Sequence, residues 1–223
     1  MKSISPNLVS PATRVYFIVI LFAASSFISV NLSAQTHKAD AYPQIRGEKQ
    51  LFMDIHRLEP GKVTYDAVSG AHAKDLAVQG KYDVQFKKFW VDEKGGLIYC
   101  LSSSNDSVSI RKVHAEAHGL QPDQTYVVTG GTEAALKGGK SLFMDIHYLG
   151  AGKVSAKDVA AAHQKDLAVQ HKHGVNFVNY WVNEKEGVVF CLSESTDSTA
   201  VIRAHKEAHG LVPEKIAKVK QGE

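Results

Sequence analysis

Residues 51–120 and 142–211 are two copies of one sequence. A fixed offset of 91 residues aligns them without a gap, and 39 of the 70 paired positions are identical. The first copy begins with LFMDIHRL and ends with VHAEAHGL, and the second begins with LFMDIHYL and ends with AHKEAHGL. Such repetition predicts two similar structural units, in which unchanged positions belong to the core or to a site and changed positions belong to the surface.

Each copy predicts the element order βαββαβ. An alternating strand at 50–58 precedes a helix that Thr64 caps with its hydroxyl group. A tight hairpin at 93–96 joins two further strands, and Gly119 ends a second helix. A fourth strand completes each copy, and in the second copy we expect it at 215–219. This order is the ferredoxin-like arrangement, an α+β fold, so we expect the open sheet faces of the two copies to pair as an intramolecular pseudo-dimer.

The N-terminal segment has the pattern of a secretory leader. Lys2 and Arg14 precede an apolar run that ends in small residues. An uncleaved N-terminal anchor is the alternative, and either reading places the repeats in the periplasm or outside the cell. The predicted segments are a signal peptide (1–34), a flexible N-terminus (35–49), repeat one (50–129), a linker (130–140) and repeat two (141–223).

The charge of the chain excludes two classes of partner. The formal net charge is +3, and loss of Lys2 and Arg14 with the leader leaves 3 − 2 = +1. A nucleic-acid-binding protein carries a marked basic surface, so we expect neither nucleic acid nor, after cleavage, a membrane as a partner.

The two cysteines and the two tryptophans occupy equivalent positions in the copies. Cys100 and Cys191 lie in apolar strand-like runs, which favours buried free thiols. A metal-bound thiolate and a bridge between the repeats are the alternatives. Trp90 and Trp181 are predicted to be anchors of the core or of the interface between the repeats.

A pair of histidines in the second helix has the spacing of metal ligands. His114 and His118 stand at positions i and i+4 and recur as His205 and His209. This spacing places both imidazoles on one helix face, where they can bind one ion. Glu116 lies between them in sequence and points elsewhere. The alternative is a helix end at which histidines interact favourably with the helix dipole.

The first strand carries an acidic residue beside a histidine. Met53 and Ile55 share one face and are expected to meet the helices, so Asp54 and His56 are expected on the open sheet face. A buried carboxylate needs a partner, which makes the pair either a structural ion pair or a functional dyad. The same two residues recur in the second copy as Asp145 and His147.

A third histidine lies in the first helix of each copy. His72 precedes Asp75 by three residues, and His163 precedes Asp166 by the same spacing. The carboxylate can orient the ring of a metal ligand at this distance, or the two residues can form an ordinary helix pair.

Three runs of the sequence resemble a known family of small bacterial domains. The runs are MDIHRL, AHAKDLAVQGKYDVQFKKFWVDEKGGLIYCL and VHAEAHGL, and the resemblance covers both repeats. Some members of the family are described as nickel-binding proteins. The resemblance implies a ferredoxin-like fold, homodimers and metal binding through histidines. Carried over by position, the candidate ligands are His56, His72, His114, His118, His147, His163, His205 and His209.

These observations favour a non-enzymatic metal-binding protein. Nickel is the suspected ion, because imidazole and carboxylate groups suit it. The sequence contains no nucleophile elbow, phosphate loop, CxxC or HExxH motif, so no catalytic or cofactor-binding residue is predicted. Two alternatives are an enzyme that acts on a small molecule through an Asp54/His56 dyad and a protein-interaction module. This chain departs from the family by having two domains and a secretory leader, so a cytoplasmic nickel-storage role does not carry over to it.

Overall fold

The structure is a computed structural model that describes residues 48–223. The predicted signal peptide (1–34) and residues 35–47 lie outside the described residues. Within residues 48–223, no helix is both long and apolar enough to cross a membrane.

The first repeat has the predicted element order. Thr64 accepts a hydrogen bond from the backbone N–H of Ala67 at the start of the first helix, and Asp106 caps the second helix in the same way. One turn of 3-10 helix, Gln79–Tyr82, extends the first helix. The elements are β1 (Gln50–Arg57), α1 (Tyr65–Val78), β2 (Gln85–Asp92), β3 (Leu97–Ser104), α2 (Ser107–Ala117) and β4 (Gln124–Gly130).

The second repeat has the same order with a longer first helix. Ser155 and Asp158 form a capping box at its start. The helix continues without the 3-10 turn, because His171 replaces Gly80, and glycine is a poor helix former. The elements are β5 (Ser141–Tyr148), α3 (Ala156–His173), β6 (Asn176–Asn183), β7 (Val188–Ser195), α4 (Ser198–Ala208) and β8 (Lys215–Gly222).

The eight strands form one closed barrel that both repeats share. Its strand order is β1-β3-β2-β8-β5-β7-β6-β4, so β8 joins β2 and β4 joins β6 across the repeats. The strand β8 extends beyond its predicted end at residue 219, and residues 220–222 are those that pair with β2. Gly222 lies opposite Phe89, where the Cβ of any other residue would collide with the aromatic ring. The predicted fold class, α+β with two tandem βαββαβ units, is confirmed, and the two units join at their strand edges to form one barrel.

The barrel interior is the largest apolar core of the described residues. Trp90 and Trp181 are fully buried there, with ring centroids 5.0 Å apart. The indole N–H of Trp90 donates a hydrogen bond to Gln221, which satisfies its polar end. Both tryptophans are thus anchors of the interface between the repeats, as predicted.

The prediction for the faces of β1 is wrong. Met53 and Ile55 point into the barrel and pack in the same cluster as Trp90, whereas Asp54 and His56 lie beneath the helices. The alternation was assigned correctly, but both faces of this sheet are covered, so apolar residues do not mark the helix side. The helices bring the polar partner that Asp54 requires, His114 of α2.

The two cysteines lie on β3 and β7 and face the helices. Cys100 and Cys191 are buried and form no disulfide, which confirms the prediction of free thiols. Burial raises the pKa of each thiol well above its usual value, and the nearby Asp54 and Asp145 carboxylates raise it further.

The linker between the repeats lies along the second repeat. The backbone N–H groups of Gly131 and Ala134 donate hydrogen bonds to carbonyl oxygens of β6. The carboxylate of Glu194, at the end of β7, accepts hydrogen bonds from the N–H groups of Lys137 and Gly138.

Candidate metal centres

Two histidines of α2 and an aspartate of α1 meet in the first repeat. His114 Nδ1 lies 3.1 Å from Asp75 Oδ1, and His118 Nε2 lies 3.2 Å from the same carboxylate. The two facing ring nitrogens are 3.2 Å apart. We call Asp75, His114 and His118, with their counterparts in the second repeat, the outer triangles. The i, i+4 spacing brings both imidazoles together as predicted.

The second repeat contains the same triangle with nearly the same dimensions. His205 Nδ1 and His209 Nε2 lie 3.0 Å and 3.2 Å from the carboxylate of Asp166, and 3.3 Å from each other. The packing of the two helices of each repeat therefore produces one geometry twice.

The other ring nitrogen of His114 points toward the sheet. His114 Nε2 lies 3.4 Å from Asp54 Oδ2, so this imidazole stands between two carboxylates on different elements. Asp54 is fully buried, and its second oxygen has no hydrogen-bond partner within residues 48–223. The ring of His56 meets that of His114 edge to face at 5.0 Å. We call Asp54, His56 and Cys100, with their counterparts Asp145, His147 and Cys191, the inner groups.

The inner group of the second repeat is more compact. One ligand atom from each of Asp145, His147, Cys191 and His205 lies within 4.8 Å of the others. His147 Nε2 and His205 Nε2 lie 3.2 Å and 3.6 Å from Asp145 Oδ1, but among the described residues neither oxygen of Asp145 has an aligned hydrogen-bond partner. A buried carboxylate without hydrogen bonds is costly in free energy, and a bound cation would offset this cost.

The aspartates hold a proton on the central imidazole of each repeat. Burial lowers the pKa of His114, but hydrogen bonds to Asp54 and Asp75 outweigh it and raise that pKa to about 9. In the second repeat, burial lowers the pKa of His205, but the carboxylates of Asp145 and Asp166 outweigh this effect and raise that pKa to about 10. His56 has the contrary shift, since burial and the nearby His114 lower its pKa to about 4. Without a metal ion, a proton therefore provides positive charge at each triangle.

His72 does not join the triangle, although it was predicted as a candidate ligand. Its ring packs against Phe86 and Phe89, with centroid distances of 6.1 and 4.8 Å. Asp75, three residues away, is bonded instead to the histidines of α2. The equivalent His163 packs against Tyr180 in the second repeat.

Glu116 lies off the triangle, as its sequence position predicted. Its carboxylate accepts hydrogen bonds from Lys81 and Tyr82 at the surface. Sequence reasoning did not place Asp75 and Asp166 among the ligands, because their partners lie 39 residues away in the chain. The signal that could have found them was their recurrence in both copies.

The residues of each triangle fit a divalent metal ion. Ligands at right angles around an ion, with bonds of about 2.1 Å, lie about 3.0 Å apart, close to the edges of both triangles. Two imidazoles and one carboxylate are also a donor set that first-row metals accept. The orphaned oxygens of Asp54 and Asp145 add negative charge behind each triangle.

The comparison with protein families gives the identity of the repeats. The profile described as nickel responsive protein SCO4226-like matches residues 52–128 and 143–219. The chain belongs to this family, in two tandem copies. The resemblance inferred from the sequence is thereby confirmed.

Solved structures give further similarities. The crystal structure of SCO4226 from Streptomyces coelicolor A3(2) is 36% identical over 34% of this chain and 91% of that chain, with a TM-score of 0.32. A mutant chlorite dismutase from Candidatus Nitrospira defluvii is 6% identical over 78% of this chain and 91% of that one, with a TM-score of 0.46. A putative monooxygenase from Lactobacillus acidophilus NCFM is 9% identical over 77% and 94%, with a TM-score of 0.39. The comparison with curated proteins returns no match.

Proposed function

We propose that this chain is a secreted or periplasmic, non-enzymatic protein that binds one divalent ion, nickel above all, at each outer triangle. The observation that carries the proposal is the duplicated triangle of two imidazoles and one carboxylate. The description of the family as nickel responsive supports the choice of ion. The leader pattern of residues 1–34 supports the location outside the cytoplasm.

Asp75, His114 and His118 would hold the ion in the first repeat. Asp75 supplies a charged oxygen, and each imidazole supplies the ring nitrogen that faces the triangle. A metal ion requires both imidazoles to be neutral at that nitrogen, so binding displaces the proton that His114 otherwise holds. Asp54 then remains beside His114 Nε2 as the acceptor of its N–H, which fixes the ring.

The loop after α2 has to change when the ion binds. In the described state, the backbone N–H of Leu120 donates a hydrogen bond to His118 Nδ1 at 3.1 Å, so that nitrogen carries no proton. A neutral His118 that binds a metal through Nε2 must carry its proton on Nδ1. Metal binding therefore breaks this hydrogen bond, and the equivalent bond from Leu211 to His209 in the second repeat.

Metal analysis with X-ray absorption tests the proposal. We expect two nickel ions per chain and a first shell of nitrogen and oxygen atoms only. Amide resonances of Leu120 and Leu211 should shift on loading, since their acceptors are lost. A protein that takes up no nickel at pH 7.5, or a first shell that contains sulfur, would contradict the assignment to the outer triangles.

A second candidate function is a metal-dependent enzyme. Non-haem iron(II) oxygenases hold their iron with two histidines and one carboxylate and leave other coordination positions open. Each outer triangle has this set of ligands, which is the observation that favours the enzyme. The predicted Asp54/His56 dyad is not on an open face, so a substrate would have to enter between the helices and the sheet. Oxygen uptake by the iron-loaded chain in the presence of small organic molecules would support this candidate, and tight nickel binding without turnover would not.

A further inference from the structure

Each repeat contains a cavity between its helices and its sheet, and the three residues of its outer triangle form part of the wall. The volume is about 140 Å³ in the first repeat and about 100 Å³ in the second. All thirteen residues that line the first cavity have their counterparts, at the offset of 91, in the wall of the second. Eleven of these thirteen pairs are identical, compared with 39 of 70 across the whole repeat. The walls have thus changed less than the remainder of the copies.

The wall of the first cavity is mainly apolar. Leu58, Val63, Val68 and Ile98 contribute aliphatic side chains to it, and Cys100 adds a thiol that burial keeps neutral. Unfilled apolar volume lowers stability, because the lining atoms lose contacts that a larger side chain would supply. Packing alone would favour closing such a space, yet both copies keep it.

Two buried imidazoles in this wall have ring nitrogens without a hydrogen-bond partner among the described residues: His56 at Nδ1 and His72 at both nitrogens. His72 is only 4% exposed and lines the cavity, and neither of its ring nitrogens has a hydrogen-bond partner among the described residues. Leaving a buried imidazole unsatisfied costs free energy, which a ligand with a hydrogen-bonding group would recover.

The cavity is accessible from the surface. Ala67 and Leu120 belong to its wall and are exposed, so its opening lies between α1 and the loop that follows α2. A small molecule can enter here without unfolding either helix.

We propose that each cavity binds a small neutral molecule of about one ring, largely apolar, with one hydrogen-bonding group that His72 or His163 recognises. The size follows from the volume, since an apolar cavity of about 150 Å³ is known to accept benzene. The neutral charge follows from the mainly apolar wall, in which a charged group would lose its hydration, and the Asp75 carboxylate in the same wall would in addition repel an anion. The proposal does not rest on metal binding.

The second cavity differs from the first in two ways that matter for a ligand. Asp158 takes the place of Ala67, and Tyr180 joins the wall at the position equivalent to Phe89. Both changes make the space smaller and more polar. The first cavity is therefore the stronger site for an apolar ring.

Calorimetric titration of the full chain, stripped of metal by a chelator, tests the proposal with phenol and toluene as probes. The two molecules have nearly the same shape, and only phenol has a hydroxyl group. We expect the wild-type chain to bind phenol more tightly than toluene, by about three- to tenfold, which is the value of one neutral hydrogen bond. Benzoate should bind more weakly than phenol.

Two double variants test the cavity and the histidine separately: one removes the ring nitrogens, and the other fills the cavities. His72→Phe combined with His163→Phe keeps the ring but removes the nitrogens, so the preference for phenol over toluene should disappear. Ala71→Leu combined with Ala162→Leu fills both cavities and should abolish binding of both probes. Ala73→Leu is the matched control, because it makes the same change on an exposed position of α1 and should leave binding unchanged.

Absence of binding by the wild-type chain at millimolar probe would overturn the proposal. An unchanged phenol preference in the histidine variant would overturn the role of His72. Because every titration uses metal-free protein, these results are independent of the nickel experiments. The cavity proposal and the metal proposal can therefore fail separately.

Discussion

The outer triangles of the two repeats are nearly identical, whereas the inner groups are not. Corresponding ligand-atom distances in the triangles differ by no more than 0.1 Å. In the inner groups, His147 lies 3.2 Å from Asp145, but no such contact joins His56 to Asp54. Cys191 belongs to a compact set of possible ligands, and Cys100 does not.

This difference shows which part of the site the backbone determines. Each triangle is built from residues at fixed helical positions, so the packing of two helices sets its distances. The inner groups depend on side chains that pack beneath those helices, and small changes in neighbouring residues rearrange them. A change to a triangle residue should therefore have the same effect in either repeat. A change to a residue of an inner group should have different effects in the two repeats.

Removal of the central imidazole from one repeat should have the largest effect. His114→Ala and His205→Ala should each reduce the nickel stoichiometry from two ions to one, because each triangle loses a ligand. The affinity of the damaged site should fall by at least about 100-fold, since loss of supporting groups alone costs 10- to 100-fold. Equilibrium dialysis measures both quantities. Two ions retained by either variant would contradict the equivalence of the triangles.

The stability of the metal-free chain should fall at alkaline pH. The folded-state pKa values of His114 and His205, about 9 and about 10, lie above the unfolded value of about 6.5. Protonation of these groups therefore stabilises the fold fully below pH 6.5, and this contribution is lost as the pH rises through 9 and 10. At about 1.36 kcal/mol per pKa unit, we expect a loss on the order of 8 kcal/mol for the two groups together.

Urea unfolding with a chelator present measures this loss. His114→Gln should remove the lower step of the pH profile and His205→Gln the upper one. A profile that is flat between pH 6.5 and 10 in the wild-type chain would show that the carboxylates do not hold these protons.

Substitution of the cysteines should have the smallest effect. Cys191→Ser should change nickel affinity by less than about threefold, as should Cys100→Ser, because the triangles contain no sulfur and mutations without a specific interaction cost little. Neither thiol of the native chain should react quickly with a thiol reagent, since both are buried. A loss confined to Cys191→Ser would show instead that the inner group of repeat two binds the ion.

Much of the fold could be predicted from local signals. The cap at Thr64, the hairpin at 93–96 and the end of α2 at Gly119 depend on a few adjacent residues, and each is found where it was predicted. Closure of the barrel could not be predicted in this way. It depends on residues 220–222, which pair with β2, and on residues 129–130, which pair with β6, and in both cases the partners lie in the other repeat.

The candidate site shows the same division. The i, i+4 spacing of His114 and His118 is local and was sufficient to pair the rings. The aspartates that complete the site come from other elements, and the alternation of β1 could not show which face carries Asp54. Asp75 was assigned to its near neighbour His72, although α2 supplies its true partners.

Nickel titration of the wild-type chain against His118→Ala/His209→Ala tests the central claim most directly. The matched control is Glu116→Ala/Glu207→Ala, which changes the same helices but removes carboxylates that lie off the triangles. We predict two ions per wild-type and control chain at pH 7.5, and at least about 100-fold weaker binding by the histidine variant. Equal affinity in all three proteins would contradict the account and leave these histidines as partners of buried carboxylates.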